Sequence, residues 1–297
     1  MQESILLFFQ NTETPFLDHL FELITMLGEK NVLIVVITWM FWNVNKKKGF
    51  ILSYTLMFSL LVNSALKISF HKPRPFQVLS GITGKRVETA TGYSFPSGHT
   101  QGASTFYPTL ALLFRKWWLY GFAVLISMLI ALSRVYLGVH WPVDVIAAFI
   151  LGIMVSLILY NILNILFDNI KLRNNFIIYS SFGAVILLII FVLINKQYFD
   201  SLLILTDLFK TVGVFLGASL GFIFEEKYSS FSVSGKFLKK CLRFFIGLVL
   251  TLVLLSGLKL IFPTTSVFNF IRYGIVGIWI TWLYPAVGIK TGLFRRD

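Results

Sequence analysis

Charge and sulfur are what this chain has least of. Asp, Glu, Lys and Arg make up only 13% of its 297 residues, and there is a single cysteine, Cys241. A water-soluble domain carries about a quarter charged residues, so a soluble globular fold is excluded. One cysteine excludes an intramolecular disulfide and any cysteine-rich metal site. Acidic residues are scarcer than basic ones, 13 against 26, giving a formal charge of +13. The opening Met1-Gln2-Glu3-Ser4 lacks the basic region of a secretory signal, so no cleavable leader is expected. What is present instead is apolar: 57% of the residues are hydrophobic and the mean hydropathy is +0.80. At roughly 20 apolar residues per ~30 Å of hydrocarbon, a chain of this length has room for about nine crossings. The predicted fold class is an all-α polytopic transmembrane helical bundle.

Long apolar runs separated by polar breaks place spans near 30–45, 49–70, 99–114, 117–137, 142–166, 174–195, 203–224, 241–262 and 268–289. From Phe16 to Leu27, Asp18, His19 and Glu22 alternate with apolar residues, which suits a helix lying in the membrane interface. The basic breaks at Lys46 to Lys48, Arg115-Lys116, Lys171 to Arg173, Lys227 to Arg243 and Lys290 to Arg296 hold fifteen of the 26 Lys and Arg. With nine spans all five breaks fall on one side, which the positive-inside rule makes cytoplasmic. The C-terminus is then cytoplasmic, and the loops at 71–98, 138–141, 196–202 and 263–267 face outward. A basic excess used for orientation calls for no nucleic-acid partner; the expected partners are the bilayer and a membrane lipid. The segment Glu225 to Lys240, rich in Ser and Lys, reads as a mobile connector.

Three clusters put ionisable groups beside outer helix ends: Lys67 to Pro75, Phe95 to His99, and Ser133 to Asp144. In the second, Pro96 fixes the entry turn, Ser97 is a good N-cap, and Gly98 lets an oxyanion approach the free amides of a helix start. In the third, Pro142 suits the first helical position, so Trp141 becomes the N-cap and Asp144 the N3 residue, able to reach back toward His140. An Asp so placed can hold one imidazole nitrogen and leave the other free as a nucleophile. Lys67, Arg74 and Arg134 supply three cations, which together match what a phosphoryl group needs. His71, Lys72, Lys85 and Arg86 read as solvated loop charges, and Lys259 and Arg272 as snorkelling side chains.

Lys67 with six residues before Arg74-Pro75, then Pro96-Ser97-Gly98-His99, then Ser133-Arg134 with five residues before His140 and three before Asp144, resembles the complete signature of the type 2 phosphatidic acid phosphatase (PAP2) superfamily. The signature spans residues 67–144, and the surrounding core is similar from about residue 16 to 166, with a layout like that of bacterial undecaprenyl-pyrophosphate phosphatases. The resemblance implies a metal-independent enzyme without cofactors. His140 would attack phosphorus, Asp144 would orient it, and His99 would protonate the leaving oxygen and later activate water; Lys67, Arg74, Ser97, Gly98 and Arg134 would hold the phosphate. His19, His71, His99 and His140 have no metal-ligand spacing. The expected organisation is an N-terminal interfacial region at 1–29, a PAP2-like catalytic membrane core at 30–170, and an extension at 171–297 bearing four additional spans. The expected function is phosphate removal from a lipid phosphate or diphosphate (undecaprenyl diphosphate, phosphatidylglycerol phosphate or phosphatidic acid) at the extracytoplasmic face of the cell membrane. A lipid phosphotransferase would use the same phosphohistidine. A lipid translocase or transporter is suggested by the extra spans, but these lack the paired broken segments of a transport pathway.

Overall fold

A computed structural model describes residues 1–195 and 203–297; the expected outer loop at 196–202 lies outside the described residues. The chain forms two compact units: Met1–Ile34 with Phe58–Ile162, and Val35–Met57 with Leu163–Asp297. The divisions fall within helices α3 (Lys30–Asn43), α4 (Lys46–Phe70) and α8 (Pro142–Leu166).

The first unit opens with α1 (Gln2–Asn11), which the sequence reading did not anticipate, and α2 (Pro15–Met26). Thr14 caps α2 by accepting from the Leu17 amide at 3.2 Å, with Pro15 at the first helical position. Both helices pack on α7 (Trp117–Tyr136). Leu6 of α1 is buried with Ile82, Val135 and Val145, and Phe21 of α2 stacks on Tyr136. After α4 come the short α5 (Pro75–Val78), α6 (Gly98–Phe114), α7 and α8 (Pro142–Leu166).

Helix α6 is buried along most of its length even though it carries Thr100, Gln101, Ser104, Thr105 and Thr109. Gln101, Thr105 and Thr109 are met by polar groups of α4 and α8. Asn63 Nδ2 donates to Gln101 Oε1 at 2.9 Å, and Gln101 Nε2 donates to the Ser59 carbonyl at 2.9 Å. Ser59 and Thr105 hydroxyls meet at 2.7 Å, and Thr109 and Ser156 hydroxyls at 2.8 Å. Gly152 permits the close approach of α8, because a Cβ there would come within 2.7 Å of Ser104 Cβ.

In the second unit, α9 (Ile170–Ile194) is followed by α10 (Leu203–Phe224), a π turn at Glu225–Ser229, β1 (Phe231–Ser232), α11 (Phe237–Ile261), α12 (Ser266–Ile278), a second π turn at Trp279–Leu283, α13 (Tyr284–Lys290) and β2 (Arg295–Arg296). Helices α10 and α12 lie against each other backbone to backbone. A Cβ on Gly213 would strike the Phe270 carbonyl, one on Gly217 the Gly274 carbonyl, and one on Gly221 the Thr281 hydroxyl, with the Ile278 backbone 3.1 Å away. The contacting positions rise together along both chains, so the two helices are parallel. The segment expected to be a mobile connector is tied down. Glu225 and Phe231 are buried, the Glu225 carboxylate accepts from the Phe231 amide at 2.8 Å, and β1 pairs antiparallel with β2. Strand-strand hydrogen bonds to residues more than sixty positions away are not visible in local composition.

Among the described residues, seven helical segments are long and apolar enough to cross a bilayer: 46–78, 117–136, 142–166, 170–194, 205–229, 237–261 and 266–290. The expected count of nine is not confirmed by length and composition. The expected spans at 30–45 and 99–114 are α3 and α6, of 14 and 17 residues. At 1.5 Å per residue these are about 21 and 26 Å long, short of a ~30 Å hydrocarbon core.

Candidate active site

All eight residues singled out by motif lie in the first unit, on the ends of α4, α6, α7 and α8 and the loops joining them. Lys67, in the last turn of α4, donates to the carbonyls of Thr91 and Tyr93. Arg74 is buried and reaches the same loop, donating to Thr91 at 2.8 Å, Gly92 at 3.1 Å and Tyr93 at 3.4 Å, while Nη1 bonds the Val139 carbonyl at 2.9 Å. The two cations thus fold residues 91–93 over the site. Arg74 Nη1 also meets His140 Nε2 at 3.2 Å.

His140 lies between α7 and α8 with its imidazole buried. Asp144 behaves as an N3 residue, its Oδ2 accepting from the Trp141 amide at 3.0 Å. That carboxylate stands 3.6 Å from His140 Nδ1, beyond hydrogen-bond length. Ser94 closes the gap: its hydroxyl donates to Asp144 Oδ2 and lies 3.4 Å from His140 Nδ1. A carboxylate only accepts and a guanidinium only donates, which assigns the proton to Nδ1 and the lone pair to Nε2. Burial pushes the imidazole pKa well below its ordinary value, and the charges of Arg74, Lys67 and Arg134 push it further. His140 is therefore neutral at pH 7, with its nucleophilic nitrogen turned toward cations.

Ser97 is the N-cap residue of α6, as expected, but its side chain caps nothing; its Oγ accepts from the Thr100 hydroxyl at 3.1 Å. The turn is instead pinned by backbone and neighbour contacts. The Ser97 amide donates to the Asp144 carbonyl at 3.2 Å, and Asn63 Nδ2 to the Pro96 carbonyl at 3.1 Å. Gly98 opens α6, and a Cβ on it would come no closer than 3.4 Å to Asn63 Oδ1, an ordinary contact. Arg134 is fully buried; Nη1 donates to Thr25 Oγ1 at 2.9 Å, while Nε and Nη2 have no protein acceptor. His99 Nε2 is likewise buried without a partner, and His99 and Arg134 are close enough to influence each other electrostatically. Buried donors left open in this way favour an anion.

Three loop charges are corrected. Lys72 is part of the site, its Nζ 3.2 Å from Asp144 Oδ1 and over the Trp141 ring. Lys85 bridges Glu13 at 2.8 Å and Asp18 at 2.6 Å, and Arg86 pairs with Glu29. Burial alone would raise the Asp18 pKa and lower that of Lys85, but their hydrogen bonds outweigh it, so Asp18 falls below and Lys85 rises above its ordinary value. These pairs fasten the long loop to the N-terminal segment. Their acidic partners lie 57 to 72 positions away, so no local pattern marks them. Ser94 and Thr25 were also missed; a lone hydroxyl outside the motifs carries no sequence signal. Among the described residues, no group of three His, Cys, Asp or Glu side chains is placed to hold a metal ion.

The PAP2 superfamily model matches residues 48–168, and the model for the transmembrane extension of PAP2 superfamily phosphatases matches residues 209–296. The chain is 37% identical over 112 residues to an undecaprenyl-diphosphatase of Sulfolobus acidocaldarius, covering 37% of this chain and 53% of that protein, so it spans about half the length of this relative. It is 30% identical over 154 residues to phosphatidylglycerophosphatase B of Bacillus subtilis, covering 47% and 72%. Among solved structures it is similar to the crystal structure of Aquifex aeolicus LpxE, with a TM-score of 0.47, 27% identity, and coverage of 54% of this chain and 94% of that one. The chain belongs to the PAP2 superfamily and carries the transmembrane extension found on a group of its phosphatases.

Proposed function

We propose that this protein is a membrane phosphatase that hydrolyses a lipid phosphate or lipid diphosphate through a phosphohistidine on His140. The observation that carries the reading is the buried, neutral His140, with Nδ1 held through Ser94 and Asp144 and Nε2 turned toward Arg74. The Nε2 lone pair attacks phosphorus as the bond to the leaving oxygen breaks, and the protonated form of His99 gives that oxygen its proton. Neutral His99 then takes a proton from water, whose oxygen attacks phosphorus and breaks the P–N bond. Phosphate leaves and both histidines are restored. The open donors of Arg134, with Lys67 and Arg74, take the charge that builds on the equatorial oxygens, and the first amides of α6 behind Ser97 and Gly98 receive another. Asp144 and Ser94 keep the imidazole in its tautomer and stabilise the cation formed on attack.

The relatives named as undecaprenyl-diphosphatase and phosphatidylglycerophosphatase favour a lipid substrate whose chains stay in the bilayer. The catalytic core is residues 30–170 and the extension residues 171–297, in a cell membrane. With α3 and α6 counted as short crossings the spans number nine, the site is extracytoplasmic, and the C-terminus is cytoplasmic, in keeping with the basic breaks. The test is phosphate release by the purified full chain from undecaprenyl diphosphate, phosphatidylglycerol phosphate, phosphatidic acid and a soluble sugar phosphate. At least one lipid should be hydrolysed, and His140→Ala should abolish release while keeping the wild-type elution volume and helicity. A His140→Ala protein that turns over normally removes the proposed nucleophile.

A further inference from the structure

The second unit holds a buried cation that the proposed chemistry does not use. Arg272, in the second turn of α12, is 3% exposed, and its Nε and Nη1 have no hydrogen-bond partner among the described residues. Its Nη2 donates to Asn269 Oδ1, one turn nearer the start of α12, so the guanidinium is turned toward the N-terminal end of the helix. Arg243 shows how this unit otherwise treats such a group: its terminal nitrogens donate to the carbonyls of Trp42, Ser232 and Ser234. Arg272 has one side-chain amide in place of three carbonyls. A guanidinium taken out of water with two donors open is strongly unfavourable unless an acceptor arrives.

The surroundings specify the acceptor. Helices α10 and α12 are parallel, so their positive ends face the same side, α10 beginning about six residues, ~9 Å, beyond the start of α12. Thr206 and Ser266 hydroxyls meet there at 3.1 Å, and the side chain of the N-cap residue Thr265 caps none of the first amides of α12. Lys210 adds a second cation, and the nearby carboxylate of Asp207 is engaged with it at 3.7 Å. Six residues of helix put the Arg272 backbone only ~9 Å below the start of α12, and its side chain points back up. That depth matches the headgroup region and not the bilayer centre.

We propose that the N-terminal ends of α10 and α12, with Arg272 and Asn269, form a phosphate-binding site that takes the phosphate of a lipid headgroup or free phosphate. Planar, forked donors suit two oxygens of one phosphate, which the helix amides then share. The site is independent of the phosphatase reading, since none of its residues belongs to the candidate active site.

Binding to the delipidated full chain, measured by native mass spectrometry, tests this, with short-chain phosphatidylglycerol, inorganic phosphate and the matching diacylglycerol as probes. The wild type should bind one more phosphatidylglycerol than Arg272→Gln, and diacylglycerol should bind both proteins alike. Extra binding of phosphatidylglycerol alone identifies a headgroup site; extra binding of inorganic phosphate as well shows that the oxyanion suffices. Arg272→Lys keeps the charge but loses the fork, and should weaken the extra site by about tenfold. It also serves if the Gln variant does not fold. Equal stoichiometry in wild type and variants, or an extra site shared by diacylglycerol, overturns the proposal.

Discussion

Arg272 apart, the two units bury arginine in different ways. In the first, Arg74 and Arg134 converge with Lys67 and Lys72 around two histidines, and Arg134 keeps two donors open. In the second, Arg173 pairs with Glu226, and Arg243 is held by three backbone carbonyls and a Phe294 ring 4.9 Å away. Arg243, whose terminal nitrogens are taken by three backbone carbonyls, is scaffolding, whereas Arg74, also bonded to carbonyls, faces a histidine. Cations that crowd together and depress a neighbouring imidazole are unfavourable until an anion joins them. The contrast teaches that number and burial of cations do not mark a site; the open donors do.

The sharpest way to break this contrast is to remove one arginine of each kind. Arg134→Gln should lower kcat/KM for phosphate release by roughly 10²- to 10³-fold with little change in thermal stability. Arg243→Gln should instead lower the melting temperature in detergent and leave turnover per folded molecule near wild type. Equal activity losses would erase the distinction. Gly98→Ala comes next, at about 10²-fold in kcat/KM, because the added methyl meets only an ordinary contact within the protein but stands where an oxyanion must approach. An unchanged rate would remove the α6 start from the phosphate site.

A third measurement sharpens the electrostatic half of the comparison. The attacking imidazole must be neutral, and burial, then Arg74, hold its pKa below the ordinary histidine value. The acid limb of kcat/KM should therefore lie below pH 6.5, and Arg74→Gln should move it upward. A limb that stays in place would detach Arg74 from His140. The smallest effect belongs to the Lys85, Glu13 and Asp18 cluster. Lys85→Ala should cost about 1 kcal/mol, read as a modest fall in melting temperature, since these groups are partly exposed. Asp18 titrates below its ordinary value, so its contribution is present near neutral pH and fades as pH falls through its folded pKa.

The helical architecture and the residues of the site were legible to different depths. Long apolar runs such as 142–166 and 170–194 announce themselves, because lipid demands continuous hydrophobicity. Helix α6 reads as a span because its residues are apolar on average, but its 17 residues are shorter than the seven long apolar segments. The motif residues were legible because each cluster is local, with His140 and Asp144 one turn apart. Ser94, Lys72 and Thr25 were not, since each matters only through a partner 46 to 109 positions distant. For α1, ten residues of mixed character look like any short amphipathic stretch until Leu6 is seen among Ile82, Val135 and Val145.

The string of hydroxyls and amides along α6 bears on how the protein is made. Gln101, Thr105 and Thr109 find their partners on Asn63, Ser59 and Ser156, which belong to helices synthesised before and after α6. A solitary α6 released into hydrocarbon would leave the Gln101 amide unpaired and Thr105 and Thr109 with only their bonds to carbonyls one turn back, at a few kcal/mol in all. Its residence in the membrane is thus conditional on α4 and completed only by α8. Biogenesis is coupled to assembly of the site: the helix that begins at Gly98 becomes a stable resident of the bilayer only when the helix that follows His140 has arrived.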